Sequence, residues 1–253
     1  MQYRSPSGEY YNLYKDMLDQ PHLLIAGATG SGKSVVINAL MYTALYRFPG
    51  SEYADSVQFI LIDPKRVELV AYRNLPHTIR YASEPEEIVS ALQYATQLCD
   101  WRYQQMQKQG VRRWQGGDVY VVIDEFADLM TTNKRVIQPL IQRLAQIGRA
   151  AKIRLVIATQ CPIRSVITTE IKCNIDSRVA LRTRSSQDSR NITGFSGCEN
   201  LPRYGKCYYM TPEREGFTTA PMYTDEQLNE RIQWWVSQKK TTPRKWWKTL
   251  RRQ

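Results

Sequence analysis

The chain has 253 residues, 42% of them hydrophobic and 23% charged, which suits one large domain or two small ones and excludes a disordered or fibrous protein. Its 35 lysines and arginines stand against 24 acids, a net charge of +11. No apolar run approaches the roughly 18 residues of a membrane span, and residues 1–19 carry no signal-peptide core.

In chain order, apolar runs bounded by turn residues predict buried strands at 22–26, 57–63, 119–124, 154–159, 177–181 and 206–210. Helices are predicted to begin near Lys33, Pro85 and Lys134. The second is the clearest: Ser83 as cap, Pro85 in the first turn, Ile88, Leu92, Ala95 and Leu98 on one face, and Gly110 at the end. Pro139 should start or kink the third. After Thr211 the turn residues Pro212, Gly216 and Pro221 mark loops, followed by a short helix at 225–237. The alternation reads as an α/β fold, a mostly parallel central sheet with helices on both faces. Five cysteines without a CxxC pair and two histidines, His22 and His77, predict reduced thiols in a cytoplasmic setting and neither a disulfide framework nor a zinc site.

Gly27-Ala28-Thr29-Gly30-Ser31-Gly32-Lys33-Ser34 fits GxxxxGK[ST], follows the first apolar strand and opens a helix. Glycines let backbone N–H groups turn inward around phosphate oxygens at a helix N-terminus. Lys33 reaches the β and γ phosphates of ATP, and Ser34 completes a Mg²⁺ shell. The strand at 119–124 ends in Asp124 and Glu125, two acids that need a cation or water beside them. Asp124 suits the Mg²⁺ site and Glu125 suits a base for the attacking water, so the pair favours hydrolysis over transfer to a small molecule. Gln160, ending the strand at 154–159, is either a γ-phosphate sensor or an ordinary polar strand end.

These residues, with Ile62-Asp63-Pro64-Lys65, Glu68-Leu69, Ile123 to Met130, Arg143 to Gln146, Gly148-Arg149-Ala150, Ala158-Thr159-Gln160 and Asp188-Ser189-Arg190, resemble the motor domain of the FtsK/SpoIIIE DNA translocases. The resemblance covers about residues 21–209 and implies a RecA-like P-loop ATPase, using ATP and Mg²⁺, that forms a hexameric homo-oligomeric ring around DNA. It implies Gln160 as sensor and Arg149 as an arginine finger acting on a neighbour's nucleotide, with Arg178 and Arg190 as further basic positions at that interface. The segment Leu201-Pro202-Arg203-Tyr204-Gly205-Lys206-Cys207 departs from the family pattern, with Arg203 and Lys206 where Gly and Asp are expected. The short lead-in and the lack of a recognisable DNA-reading module suggest a reduced translocase of plasmids, conjugative elements or phages. A packaging ATPase, a protein-secretion motor and a nucleotide-gated adaptor for a relaxase or replication protein are the alternatives.

The expected organisation is a lead-in at 1–20, a motor at 21–222 and a helical, Trp-rich basic tail at 223–253. The last 23 residues hold eight cations and no acid, which leaves 27 cations against 24 acids, or +3, for the rest. Candidate DNA contacts are Arg182 and Arg184 in the motor, after it the tail residues Lys240, Arg244, Lys245, Trp246, Trp247 and Lys248, and less specifically Lys134 and Arg135. Tryptophans among cations suit nucleic acid or an anionic membrane surface; Trp234 and Trp235 equally suit closure of the core.

Overall fold

The computed structural model describes residues 2–4, 10–12, 20–47, 57–220 and 222–237, with the first two stretches and residues 46–47 as backbone only. Strands β1 (Gln2–Arg4) and β2 (Tyr10–Asn12) pair antiparallel as a separate ribbon. The remaining strands are β3 (His22–Ala26), β4 (Val57–Ile62), β5 (Thr78–Ala82), β6 (Asp118–Ile123), β7 (Ile153–Thr159), β8 (Ser177–Ala180), β9 (Lys206–Met210) and β10 (Glu215–Thr219). They form one sheet in the order β10-β9-β8-β3-β7-β6-β4-β5. The six strands from β8 to β5 are parallel, and β9 and β10 continue the sheet antiparallel.

Among the described residues the α-helices are α1 (Lys33–Arg47), α2 (Pro85–Gln109), α3 (Phe126–Thr132), α4 (Lys134–Ile147), α5 (Thr169–Lys172), α6 (Ser186–Thr193) and α7 (Asp225–Ser237). Every side chain of β3 and β4 is buried, because both faces of the sheet are covered. Alternation sorts them: Leu23 and Ile25 join Leu40, Met41 and Leu45 of α1, while Leu24 joins Leu92, Ile141 and Leu144 of α2 and α4. Each fully buried side chain of this kind contributes about 1.5–3 kcal/mol.

The doubly covered α/β fold is as the sequence predicts, and the departures from it have local causes. Strands β5 and β10 escape the search for apolar runs because they lie at the two sheet edges, where half-exposed sequences such as Thr-Ile-Arg-Tyr-Ala suffice. Helix α2 is capped by Glu84, not Ser83; Glu84 and Glu87 make a reciprocal capping box and Gly110 ends the helix at φ 66°. Pro139 lies inside α4, whose buried face runs through Ile137, Ile141 and Leu144.

The first part of the C-terminal segment forms the helix expected at 225–237, and for Trp235 the structure selects closure of the core. Helix α7 buries Leu228, Ile232 and Trp235, the last two in the core formed with α1, and the Trp235 ring meets His77 edge-on at 4.5 Å. Arg231 donates to the Leu45 carbonyl at 3.2 Å. Residues up to Ser237 thus belong to the motor's own core, and one of the eight C-terminal cations is engaged there. Trp234 stays 41% exposed beside Arg231. Lys240, Arg244, Lys245, Trp246, Trp247 and Lys248 lie outside the described residues. No helix among the described residues is long and apolar enough to cross a membrane.

Candidate nucleotide site

A parallel sheet gathers the carboxyl ends of its strands along one edge, and here that edge holds the polar residues singled out from the sequence. Strand β3 runs into the P-loop, β6 into Asp124 and Glu125, and β7, which lies between them, into Gln160. Residues distant in sequence become neighbours: Thr29 Oγ1 donates to Gln160 Oε1 at 2.6 Å.

The loop is held from three sides. Gly27 N–H donates to the Thr159 carbonyl at 3.3 Å, Ala28 N–H to the Arg182 carbonyl at 2.8 Å, and Gly205 N–H to the Ser31 carbonyl at 2.9 Å. Gly30 and Gly32 take φ values of 70° and 105°, the left-handed region that favours glycine. A Cβ on Gly32 would lie 2.4 Å from the Gly205 nitrogen, so no other residue fits. Helix α1 starts directly after this loop at Lys33, and a helix N-terminus offers backbone N–H groups to an anion.

Lys33 is buried and faces Glu125, Asp124 and Glu68; burial lowers its proton affinity and the carboxylates oppose that effect. Asp124 is pushed up to about 7, first by burial, then by the nearby Glu68 and Asp63 carboxylates. Its backbone N–H donates to the Ile62 carbonyl at 3.1 Å, which sets it beside Asp63. Such crowding of acids suits a site completed by a cation. The donor set fits Mg²⁺: Ser34 donates its hydroxyl proton to Glu68 Oε1 at 2.5 Å, leaving its oxygen lone pairs for a metal, and Asp124 stands by. Among the described residues no three His, Cys, Asp or Glu side chains cluster as a self-sufficient metal cage, so phosphate oxygens and water would complete the shell.

Glu125 is buried, and its Oε1 accepts from the Thr159 hydroxyl at 2.9 Å and from the Gln160 N–H at 3.0 Å. Lys65 stands 3.7 Å from Glu125 Oε2 and 3.4 Å from Asp128 Oδ2. These contacts fix the carboxylate at the β6–β7 junction.

Sequence reasoning gave Lys65, Glu68, Asp63 and Gly205 no role of their own. Asp63 was within its reach, because it follows the apolar strand β4 as Asp124 follows β6, and it is fully buried with one oxygen accepting from Leu69 N–H at 3.0 Å. Glu68 and Gly205 required the tertiary structure.

The remaining predicted residues lie elsewhere. Arg149 precedes β7, whereas the P-loop follows β3, and seven β7 residues at about 3.3 Å each set the two roughly 20 Å apart. Arg149 is exposed in an open cleft of about 270 Å³ with Arg112, Arg113 and Tyr103. Arg182 and Arg184 are exposed just past β8, on the P-loop edge. Arg190 is exposed and donates to Ser186 Oγ at 3.3 Å. Arg178 is half-buried and tied into its own chain: its guanidinium donates to the carbonyls of Ile175, Ile192 and Lys172 at 3.1, 2.9 and 3.2 Å. Lys134 donates to the Ser165 carbonyl at 3.2 Å.

Comparison with known proteins gives the family and the fold. The FtsK/SpoIIIE family profile matches residues 6–120 and 116–164. The DNA translocase FtsK of Chlorobaculum tepidum is 42% identical, over 74% of this chain and 25% of that protein. That of Rickettsia prowazekii is 36% identical, over 78% of this chain and 32% of that protein. The chain thus spans about a third or less of the length of these relatives. Among solved structures, the pCW3 conjugation coupling protein TcpA with ATPγS superposes with a TM-score of 0.76 at 21% identity, over 92% of this chain and 70% of that one. Matched over more than half its length by the family profile, the chain belongs to the FtsK/SpoIIIE family and is a P-loop ATPase.

Proposed function

We propose that this chain is the motor of an ATP-driven DNA translocase, in which hydrolysis at the Lys33, Asp124 and Glu125 site of one subunit is completed by Arg149 of the next. One observation carries the reading: the groups for phosphate binding and water activation converge on one sheet edge, while Arg149 stands at the opposite edge, too far to serve its own P-loop. A head-to-tail ring joins those two edges, each subunit presenting one to each neighbour.

Within a site, Lys33 balances the β and γ phosphate charge, and Ser34 and Asp124 would hold Mg²⁺, which when bound would supply the remaining neutralisation of the transferred phosphoryl group. Glu125, held by Thr159, Gln160 and Lys65, takes the proton of the attacking water. Gln160 and Thr29 sit together at the γ end and register the loss of that phosphate. Arg149, with Arg112 and Arg113 beside it, supplies positive charge as the transition state forms.

The cargo is taken to be duplex DNA, because the relatives at 36–42% identity are named as DNA translocases. The name of the TcpA structure, a conjugation coupling protein, favours plasmid or conjugative transfer as the setting. Arg182 and Arg184 remain candidate DNA contacts. The test is the ATPase rate with and without duplex and single-stranded DNA, followed by displacement of a triplex-forming strand. Stimulation by duplex DNA with processive displacement is expected, and both should vanish in Lys33→Ala. Absence of DNA stimulation would favour a protein-secretion motor, and stimulation without displacement a nucleotide-gated adaptor.

A further inference from the structure

The segment 201–207 touches the P-loop, yet the chemistry above uses only its backbone. It enters β9 through two residues of positive φ, Tyr204 at 68° and Gly205 at 91°. Glycine adopts that conformation readily, whereas a bulky side chain does so only where surrounding contacts impose it. Here the contacts come from the P-loop: Gly205 N–H bonds the Ser31 carbonyl at 2.9 Å, and the backbone of 204–205 abuts Gly32. A Cβ on Gly205 would lie 3.7 Å from Val35 Cγ1 in the first turn of α1. Tyr204 is thus held at the rim of the phosphate loop. Its side chain is 78% exposed, the most exposed large apolar or aromatic group among the described residues.

Strand order decides which part of a nucleotide meets that rim. The groups suited to the terminal phosphate end β7 (Gln160) and β6 (Asp124, Glu125), on one side of β3. Strands β8 and β9 lie on the other side of β3. A triphosphate whose γ end points toward β7 and β6 sends its α end, ribose and base toward β8 and β9, where Tyr204 stands.

We propose that Tyr204 is the platform on which the nucleotide base stacks. The proposal rests on the ATP-binding reading above and deepens it. An aromatic ring offers a flat apolar face to any base, so it adds affinity for the nucleoside with little choice between purines. The P-loop contact fixes the backbone that carries the ring before the ligand arrives, which reduces the ordering cost of stacking.

Isothermal titration with adenylyl imidodiphosphate and with inorganic tripolyphosphate, both with Mg²⁺, separates base from phosphates. Tyr204→Gly should weaken the imidodiphosphate nucleotide about tenfold, from the usual size of base–aromatic stacking, and leave tripolyphosphate unchanged. Tyr204→Phe should bind both as the unaltered protein does. Glycine suits the left-handed backbone at this position, so Tyr204→Gly should fold. Unchanged nucleotide affinity in Tyr204→Gly overturns the proposal; if self-assembly is lost instead, Tyr204 is a subunit contact. An equal loss for both ligands also overturns it and makes the residue a brace for the P-loop. Lys33→Ala is the separate control: if it keeps both ligands, the ATP-binding reading itself fails, whatever Tyr204 does.

Discussion

Arg149 and the P-loop sit at opposite ends of β7 and β3, about 20 Å apart, and this separation makes a quantitative prediction for mixed assemblies. Arg149→Ala and Lys33→Ala should each be inactive alone. In a head-to-tail ring, a working site needs an intact Lys33 from one subunit and an intact Arg149 from its neighbour. An Arg149→Ala subunit supplies the first and a Lys33→Ala subunit the second, so in a random equal mixture about one interface in four is competent. With independently firing sites the mixture should recover about a quarter of the unaltered ATPase rate, and less if sites must fire in sequence. The assay is steady-state ATP hydrolysis after co-assembly, with mixing verified by energy transfer between labelled subunits. No recovery in verified mixed rings would refute the trans role, as would full activity of Arg149→Ala alone. Recovery in unmixed monomers would contradict the geometry itself.

Four further outcomes follow from named contacts. Trp235→Ala should cost about 3–5 kcal/mol in urea denaturation, the range for emptying a fully buried tryptophan site, whereas Trp234→Ala, half-exposed, should cost far less. His22 is buried, with Nδ1 accepting from the Leu155 N–H at 3.0 Å, and burial lowers its pKa to about 4. Since the unfolded chain protonates near 6.5 and the fold resists until about 4, stability present above pH 6.5 should fall by about 3 kcal/mol toward pH 4, and His22→Gln should flatten that slope. Glu68→Ala removes the acceptor that orients the Ser34 hydroxyl and should weaken Mg²⁺-dependent nucleotide binding about 10- to 100-fold, with Glu68→Gln milder; nucleotide titrations across Mg²⁺ concentrations read this directly. Truncation after Ser237 removes seven of the eight C-terminal cations, so if the tail holds DNA the slope of log affinity against log salt should fall by about 6, at roughly 0.9 per phosphate contact; an unchanged slope excludes it.

What was legible in the sequence is what a short segment encodes by itself. Five strands of the parallel part, β3, β4, β6, β7 and β8, stood out because both faces of that part of the sheet are covered, and an apolar run records the burial without help from the rest of the chain; β9, which continues the sheet antiparallel, showed by its buried centre. The P-loop and the Asp124-Glu125 pair were equally local, a turn geometry and a pair of acids where a buried strand ends. Edge strands β5 and β10 were missed because half-exposed strands carry no such run.

The role of Trp235 stayed open in the sequence for a related reason. Lysines, arginines and tryptophans are counted in sequence, but whether an indole meets phosphate or a hydrophobic core depends on what lies opposite. For Trp235 that is His77 and the α1-side core. Glu68 shows the same limit at the catalytic edge: 34 residues separate it from Ser34, and only the sheet order makes them partners. Charge and pattern thus specify the elements and the phosphate loop, while strand order assigns the roles. It places Gln160 between β3 and β6, sets Arg149 at the end of β7 away from the P-loop, and puts Tyr204 on the β8–β9 side of β3. The same P-loop sequence on a sheet with β7 and β8 exchanged would predict the same nucleotide and a different site around it.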